Sequence, residues 1–122
     1  MYLFNNNICN KGAPPSVILM EEPVTEKDSL KIIFEFNVNV DGKYQTGFAS
    51  GGNVTELPDD SYFISTGSPE SKAMIISKDK KILWSAIAEK RDRGSKTWES
   101  IVLYRASIIL NRKELERLIW NK

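Results

Sequence analysis

The stretch Leu30-Lys31-Ile32-Ile33-Phe34-Glu35-Phe36-Asn37-Val38-Asn39-Val40-Asp41-Gly42-Lys43-Tyr44-Gln45-Thr46-Gly47-Phe48-Ala49-Ser50 decides the fold class. Leu30, Ile32, Phe34, Phe36 and Val38 alternate with Lys31, Ile33, Glu35, Asn37 and Asn39. Successive side chains leave a strand on opposite faces, so this period of two marks a half-buried strand. Asn39-Val40-Asp41-Gly42 then reads as a type I turn with glycine in the left-handed position, giving a three-residue hairpin loop with a bulge. A shorter loop at Asp41-Gly42 would pair Val38 with Gln45 and Glu35 with Phe48, mixing the faces. A loop of Val40, Asp41 and Gly42 pairs Val38 with Tyr44, Phe36 with Thr46 and Phe34 with Phe48, while Asn37 faces Gln45 and Asn39 faces Lys43. Only this longer loop keeps one face apolar, so this is the expected register.

Further strands are expected on either side. Ser16 to Glu22 follows Pro14-Pro15, and Ser61 to Ser65 lies between Pro58-Asp59-Asp60 and Gly67-Ser68-Pro69. Lys72 to Ser77 and Ile82 to Glu89 read as a hairpin across Lys78-Asp79-Lys80-Lys81. Lys96 to Leu110 reads as one long strand after the turn Arg91-Asp92-Arg93-Gly94-Ser95. In it Trp98, Ser100, Val102 and Tyr104 alternate with Thr97, Glu99, Ile101 and Leu103. The period then changes. Asn111 is placed to cap a helix, with Glu114 in the capping-box position, and Leu115, Leu118 and Ile119 form an apolar stripe edged by Trp120. A helix this short needs to dock on a sheet to persist. The expected fold is mainly β (α+β): an antiparallel meander or half-barrel of about six or seven strands with a C-terminal helix packed on it, in one domain over residues 1–122.

In element order alone, seven antiparallel strands closed by a tryptophan-bearing helix resemble the pleckstrin-homology architecture. The basic first hairpin that holds inositol phosphates in that family has no counterpart here. Lys31 and Lys43 flank a loop containing Asp41, and Glu35 lies in the same hairpin. The resemblance therefore implies no lipid binding.

With 122 residues, 41% apolar and 27% charged, the composition is that of an ordinary soluble globular domain. Cys9 is the only cysteine, which excludes an internal disulfide and fits a reducing compartment. The first nine residues are not expected to form an export signal, because they lack a basic start and an apolar run of about seven to fifteen residues. No stretch approaches the roughly 18 apolar residues of a membrane span. The expected location is cytoplasmic. Abundant Ile, Lys and Asn fit an AT-rich coding sequence, which points to a bacterium or phage.

The chain has no histidine. This removes the side chain most used for proton transfer near neutral pH, and with it Ser-His-Asp and Cys-His nucleophiles and histidine-based zinc sites. Chemistry by carboxylates, Lys or Tyr stays open. No enzyme activity, cofactor or metal is expected. Gly47-Phe48-Ala49-Ser50-Gly51-Gly52 is glycine-rich, but no Gly-Lys-Ser/Thr and no helix follow, so it reads as a strand end entering a tight turn. Cys9 has no histidine to activate it and only Lys11 nearby, and reads as incidental.

Charge supplies the remaining signal. Residues 1–70 hold ten acidic and four basic side chains, and residues 71–122 hold six acidic and thirteen basic, so a net of +1 conceals −6 followed by +7. Glu56, Asp59 and Asp60 form an acidic loop, with Tyr62 beside it in the next strand. Their spacing does not suit a calcium loop, and glycosidase carboxylates need a cleft that a domain of this size rarely forms. The bland reading is a solvated loop, and the functional one is a patch that meets a basic partner. Arg91, Arg93 and Lys96, with Lys90, surround a turn next to Trp98; the leading reading is a solvated turn, and the functional one is phosphate contacts with base stacking. Trp84 and Trp120 are expected in the core or against the helix.

The function expected from these signals is a non-catalytic protein-binding domain acting through Glu56, Asp59, Asp60, Tyr62, Arg91, Arg93 and Lys96. Its partner would be another protein with a complementary charged surface. A small inhibitor or immunity-type protein that neutralises a toxin or enzyme fits that class. The alternatives are a nucleic-acid-binding domain using the basic C-terminal half, and a small-ligand binder or carboxylate-dependent enzyme.

Overall fold

Tight turns organise the chain. At residues 57–61 the Leu57 amide donates to the Ser61 carbonyl (2.8 Å) and the Asp60 amide to the Leu57 carbonyl (3.1 Å). Residues 77–81 repeat the pattern, with Ser77 N–H to Lys81 O at 2.8 Å and Lys80 N–H to Ser77 O at 2.9 Å. Asp60 and Lys80 sit at φ 61° and 64°, the left-handed conformation that closes such a loop. In the computed structural model, which describes residues 1–7, 9, 13–40, 43–44, 50–68 and 71–120, the strands lie between these and similar turns.

β1 (Tyr2–Asn5), β2 (Ser16–Glu21) and β3 (Lys31–Asn37) form one antiparallel sheet in that order. β6 (Ser50–Glu56), β7 (Tyr62–Ser68), β8 (Lys72–Ile76) and β9 (Ile82–Ile87) form a second, a four-stranded antiparallel meander. Two short ladders complete the described strands: β4 (Asn39–Val40) with β5 (Lys43–Tyr44), and β10 (Glu89–Lys90) with β11 (Glu99–Ser100). The mainly β, antiparallel meander with a small C-terminal helix is therefore the fold.

The two large sheets face each other across the core. In the first, Phe4, Val17 and Phe36 align across the strands, as do Tyr2, Leu19 and Phe34. In the second, Val54, Ile64 and Met74 align, with Tyr62 opposite Ile76. Val17, Val38, Ile64, Met74 and Ile76 are fully buried and Tyr62 nearly so, and Tyr2, Phe4, Phe34, Phe36 and Val54 pack around them. Removing this apolar area from water is the main stabilising term of such a sandwich. The alternation seen from Leu30 to Val38 holds, but only its second half reaches the core. Val38 is buried, Phe34 and Phe36 are half-buried, and Leu30 and Ile32 are exposed.

The expected hairpin register is corrected. Asn39 pairs with Tyr44 and Val40 with Lys43, so the ladder runs one residue further than the three-residue loop allows, in the register of the shorter loop that was set aside. The reason lies in β3, which takes β2 as its partner, with Phe36 opposite Val17 and Phe34 opposite Leu19. The Val38 amide extends that ladder to the Pro15 carbonyl at 2.8 Å. Because β2 already completes the apolar face, nothing obliges the following hairpin to do so. The expected partners Gln45, Thr46 and Phe48 lie outside the described residues, as do Asp41 and Gly42.

The long strand expected over Lys96–Leu110 is also corrected. Only Glu99–Ser100 pairs in a ladder, with Lys90 and Glu89. Residues 101–110 continue as a strap over the outer face of the second sheet. Its backbone bonds mainly to side chains and isolated amides. The Leu103 amide donates to Ser71 Oγ (2.6 Å), and the Ala106 amide is shared between Ser65 Oγ (3.2 Å) and Asn53 Oδ1 (3.3 Å). The Tyr104 carbonyl accepts from Gly52 N–H (2.8 Å).

The chain closes with α1 (Arg112–Trp120). As the sequence implies, Asn111 caps it, its Oδ1 accepting from the Glu114 amide at 2.7 Å, and Arg112 pairs with Glu116 one turn on at 2.7 Å. The side chains of Leu115, Leu118, Ile119 and Trp120, on which docking of the helix would depend, lie outside the described ones.

Gly52 fixes how closely the sheets approach. Its φ is +104°, and a Cβ there would overlap the Phe4 ring. Gly52→Ala is expected to cost about 2–4 kcal/mol through left-handed strain and overpacking. Ile33→Ala, at a position 58% exposed, should stay within about 0.5 kcal/mol. Urea unfolding midpoints of the two variants check this contrast.

Candidate interaction surface

The acidic residues singled out by sequence are engaged with their own chain. Glu56 ends β6 opposite Tyr62. Burial raises the Tyr2 hydroxyl above its ordinary phenol range, and its hydrogen bond to the Glu56 carboxylate raises it further. Asp59 Oδ1 accepts from the Ser61 hydroxyl (2.6 Å) and the Ser61 amide (3.2 Å), which lowers the Asp59 carboxyl below the usual aspartate value. Asp60 forms an ion pair with Lys78 at 3.8 Å, both side chains well exposed. Tyr62 is 5% exposed, its ring 5.0 Å from Phe34 and 5.8 Å from Tyr2, so it is a core residue, not part of an open patch.

The basic residues lie elsewhere. Turns 57–61 and 77–81 share one end of the second sheet, as the Tyr62–Ile76 and Ile76–Ile82 pairs require. β9 runs from that end to the opposite one, where β10 and β11 form an arm. At its tip the Arg91 guanidinium lies 5.4 Å from the centre of the Trp98 ring, within cation–π range. Lys90 meets Asp92 at 3.5 Å, while Arg93 and Lys96 are exposed. The fold thus brings Asp60 to Lys78, and leaves Glu56, Asp59 and Asp60 at the end remote from Arg91, Arg93 and Lys96.

Sequence reasoning missed what lies between the two clusters. β9 is an edge strand and every one of its residues is exposed, with Ile82 at 51%, Leu83 at 59%, Trp84 at 48% and Ile87 at 43%. The expectation that Trp84 is a core residue is corrected. Trp84 pairs with Ile75 and Ala86 with Ala73, so both stand on the outer face. There the strap encloses an open groove of about 620 Å³, lined by Phe63, Ala73, Ile75 and Trp84 from the sheet and by residues 106–109 from the strap. The groove has no ionisable side chain. The available signal was the uncharged run from Ile82 to Ile87, which lacks the alternation of a strand with one wet face.

A smaller depression of about 140 Å³ is lined by Glu21, Glu22, Asp28 and Lys31 among others. Asp28 is held there in a turn, its Oδ2 accepting from the Thr25 amide (2.9 Å) and hydroxyl (3.0 Å). Among the described residues no three His, Cys, Asp or Glu side chains are placed to hold a metal ion, and no helix is long and apolar enough to cross a membrane. Cys9 is exposed. Comparison with family models, curated proteins and solved structures finds no match.

The Asp59 turn makes a pH prediction. Because its folded carboxyl is lowered, its contribution to stability is present above the ordinary aspartate value of 3.8 and is lost as pH falls through the lower folded value. Replacing Ser61 by Ala removes the hydroxyl donor, and the Asp59 titration followed by carboxyl NMR should move upward. An unmoved midpoint would show that the hydroxyl is not what lowers it.

Proposed function

We propose that the chain is a non-catalytic protein-binding domain whose partner docks along β9, between the turn at 77–81 and the β10–β11 arm. The observation that carries this reading is the exposure of Ile82, Leu83, Trp84 and Ile87 on one edge strand. Contiguous apolar surface rimmed by charge is the usual mark of a protein-contact site.

The basic residues at the ends of β9 would steer an acidic partner toward it. A small inhibitor or immunity-type protein is the finer form of the proposal, since blocking a toxin or enzyme needs only a firm scaffold and a complementary patch. A second reading rests on Trp98, which is 61% exposed beside Arg91, Arg93 and Lys96. An exposed indole among cations suits stacking and phosphate contacts with single-stranded nucleic acid.

Affinity purification of the tagged chain from native lysate, with and without nuclease, separates the two readings. The protein-binding reading expects one stoichiometric partner retained after nuclease treatment and weakened in Leu83→Lys. Repeated recovery of no partner would sink it. Loss of all bound material on nuclease treatment would favour nucleic acid, whose binding should fall steeply with added salt.

A further inference from the structure

We infer that β9 is a strand-addition site, and that its occupant is an extended segment of a partner protein with an apolar centre and acidic flanks. The inference rests on the protein-binding reading and names the chemistry of the partner.

The backbone supplies the first part. β9 has β8 as its only ladder neighbour among the described residues, so its outer edge presents peptide groups to an incoming strand. Natural sheets usually guard such edges with charge, proline or bulges. Ile82 to Ile87 contains no charge and no proline. The one irregularity, between Ile75 and Ile76, displaces Leu83 and leaves Trp84 to Ile87 in regular pairing. A strand added here would gain main-chain hydrogen bonds along that regular stretch.

Side chains supply the second part. Trp84 and Ala86 point to the groove face, whereas Ser85 pairs with buried Met74 and Ile87 lies on that same inner side. An added strand would therefore meet apolar neighbours on both faces, which selects β-branched residues over long charged ones.

Charge decides between a partner and a second copy of this chain. Residues 78–99 hold seven basic and four acidic side chains, with Lys78, Lys80 and Lys81 before β9 and Lys90, Arg91, Arg93 and Lys96 after it. Asp79, Glu89 and Asp92 offset part of this charge, leaving residues 78–81 and 89–96 at +2 each, and antiparallel pairing with a second copy would set these two positive flanks against each other at both ends. An acidic-flanked strand instead meets opposite charge at each end.

The test uses the full chain and a labelled synthetic peptide of alternating Val and Thr with two Glu at each end. Its counterparts carry two Lys at each end, or a central Pro. The Glu-flanked peptide should bind at least about tenfold more tightly than the Lys-flanked one, a difference that shrinks with salt. The Pro version should lose binding, and amide exchange should slow over residues 82–87. Leu83→Lys, at an exposed position, should weaken binding by about tenfold while circular dichroism stays native. Absence of peptide binding, lack of preference between flanks, or binding without slowing at 82–87 would overturn the inference. So would a peptide-free dimer protected at 82–87, which would make the occupant a second copy. A purified partner that protects residues 56–60 instead would leave the protein-binding reading standing and end this one.

Discussion

The four-stranded sheet carries apolar side chains on both faces, and the two faces are covered by very different means. Its inner face meets a complete second sheet, and Ile64, Met74 and Ile76 disappear into the contact. On its outer face, with Phe63, Ile75 and Trp84, the cover among the described residues is the single strap of residues 101–110. One extended chain covers less than a sheet does, so a groove remains beside the strap and β9 stays open beyond it. The surface proposed for partner binding is thus one that the described elements of the sandwich leave uncovered.

Electrostatics are reshaped by the same topology. The opposed halves of the sequence do not become two opposed poles, because the hairpins fold one half against the other. Asp60 and Lys78, eighteen positions apart in the chain, meet where two turns share an end of the sheet. Asp59 is occupied with Ser61, and Glu56 with Tyr2. Exposed positive charge remains beside that turn at Lys80 and Lys81, and farther along on the arm at Arg93 and Lys96. An exposed ion pair such as Asp60–Lys78 contributes little stability, so its main effect is to remove field from that end.

Much of the fold was legible. Ser16–Glu21, Lys72–Ile76 and Ile82–Ile87 fall where alternation and turn residues put them, and Asn111 caps the helix as its neighbours imply, whereas Tyr62–Ser68 runs on through the Gly67-Ser68 read as a turn and Ser50–Glu56 is a strand where Gly51-Gly52 read as a tight turn. The errors have physical reasons. The 39–44 register was argued from the need for an apolar partner face, which β2 had already met. The segment 96–110 alternates in sequence, but residues 96–102 are all exposed and only Leu103, Ala106 and Ile108 of the strap are partly buried, so its alternation does not report strand pairing. Its bonds to Ser71, Asn53 and Ser65, however, depend on pairings that no local pattern contains. At the site, charge located the loops, but Trp84 looked like core because periodicity does not tell an edge strand from a central one.

The strap also bears on the order in which the molecule assembles. Its acceptors belong to residues 32, 41 and 53 positions away: Ser71 ahead of β8, Ser65 in β7 and Asn53 in β6. Their side chains are aligned only once the β6–β7–β8 meander has formed, so these bonds of the strap depend on that meander. Releasing the strap would break no ladder pairing of the four-stranded sheet, because its bonds among the described residues run to side chains, to the Gly52 amide and to the carbonyl of Ala88. Such an opening would bare Phe63 and Ile75 without unfolding the core. Such a state would enlarge the apolar surface on the face next to β9.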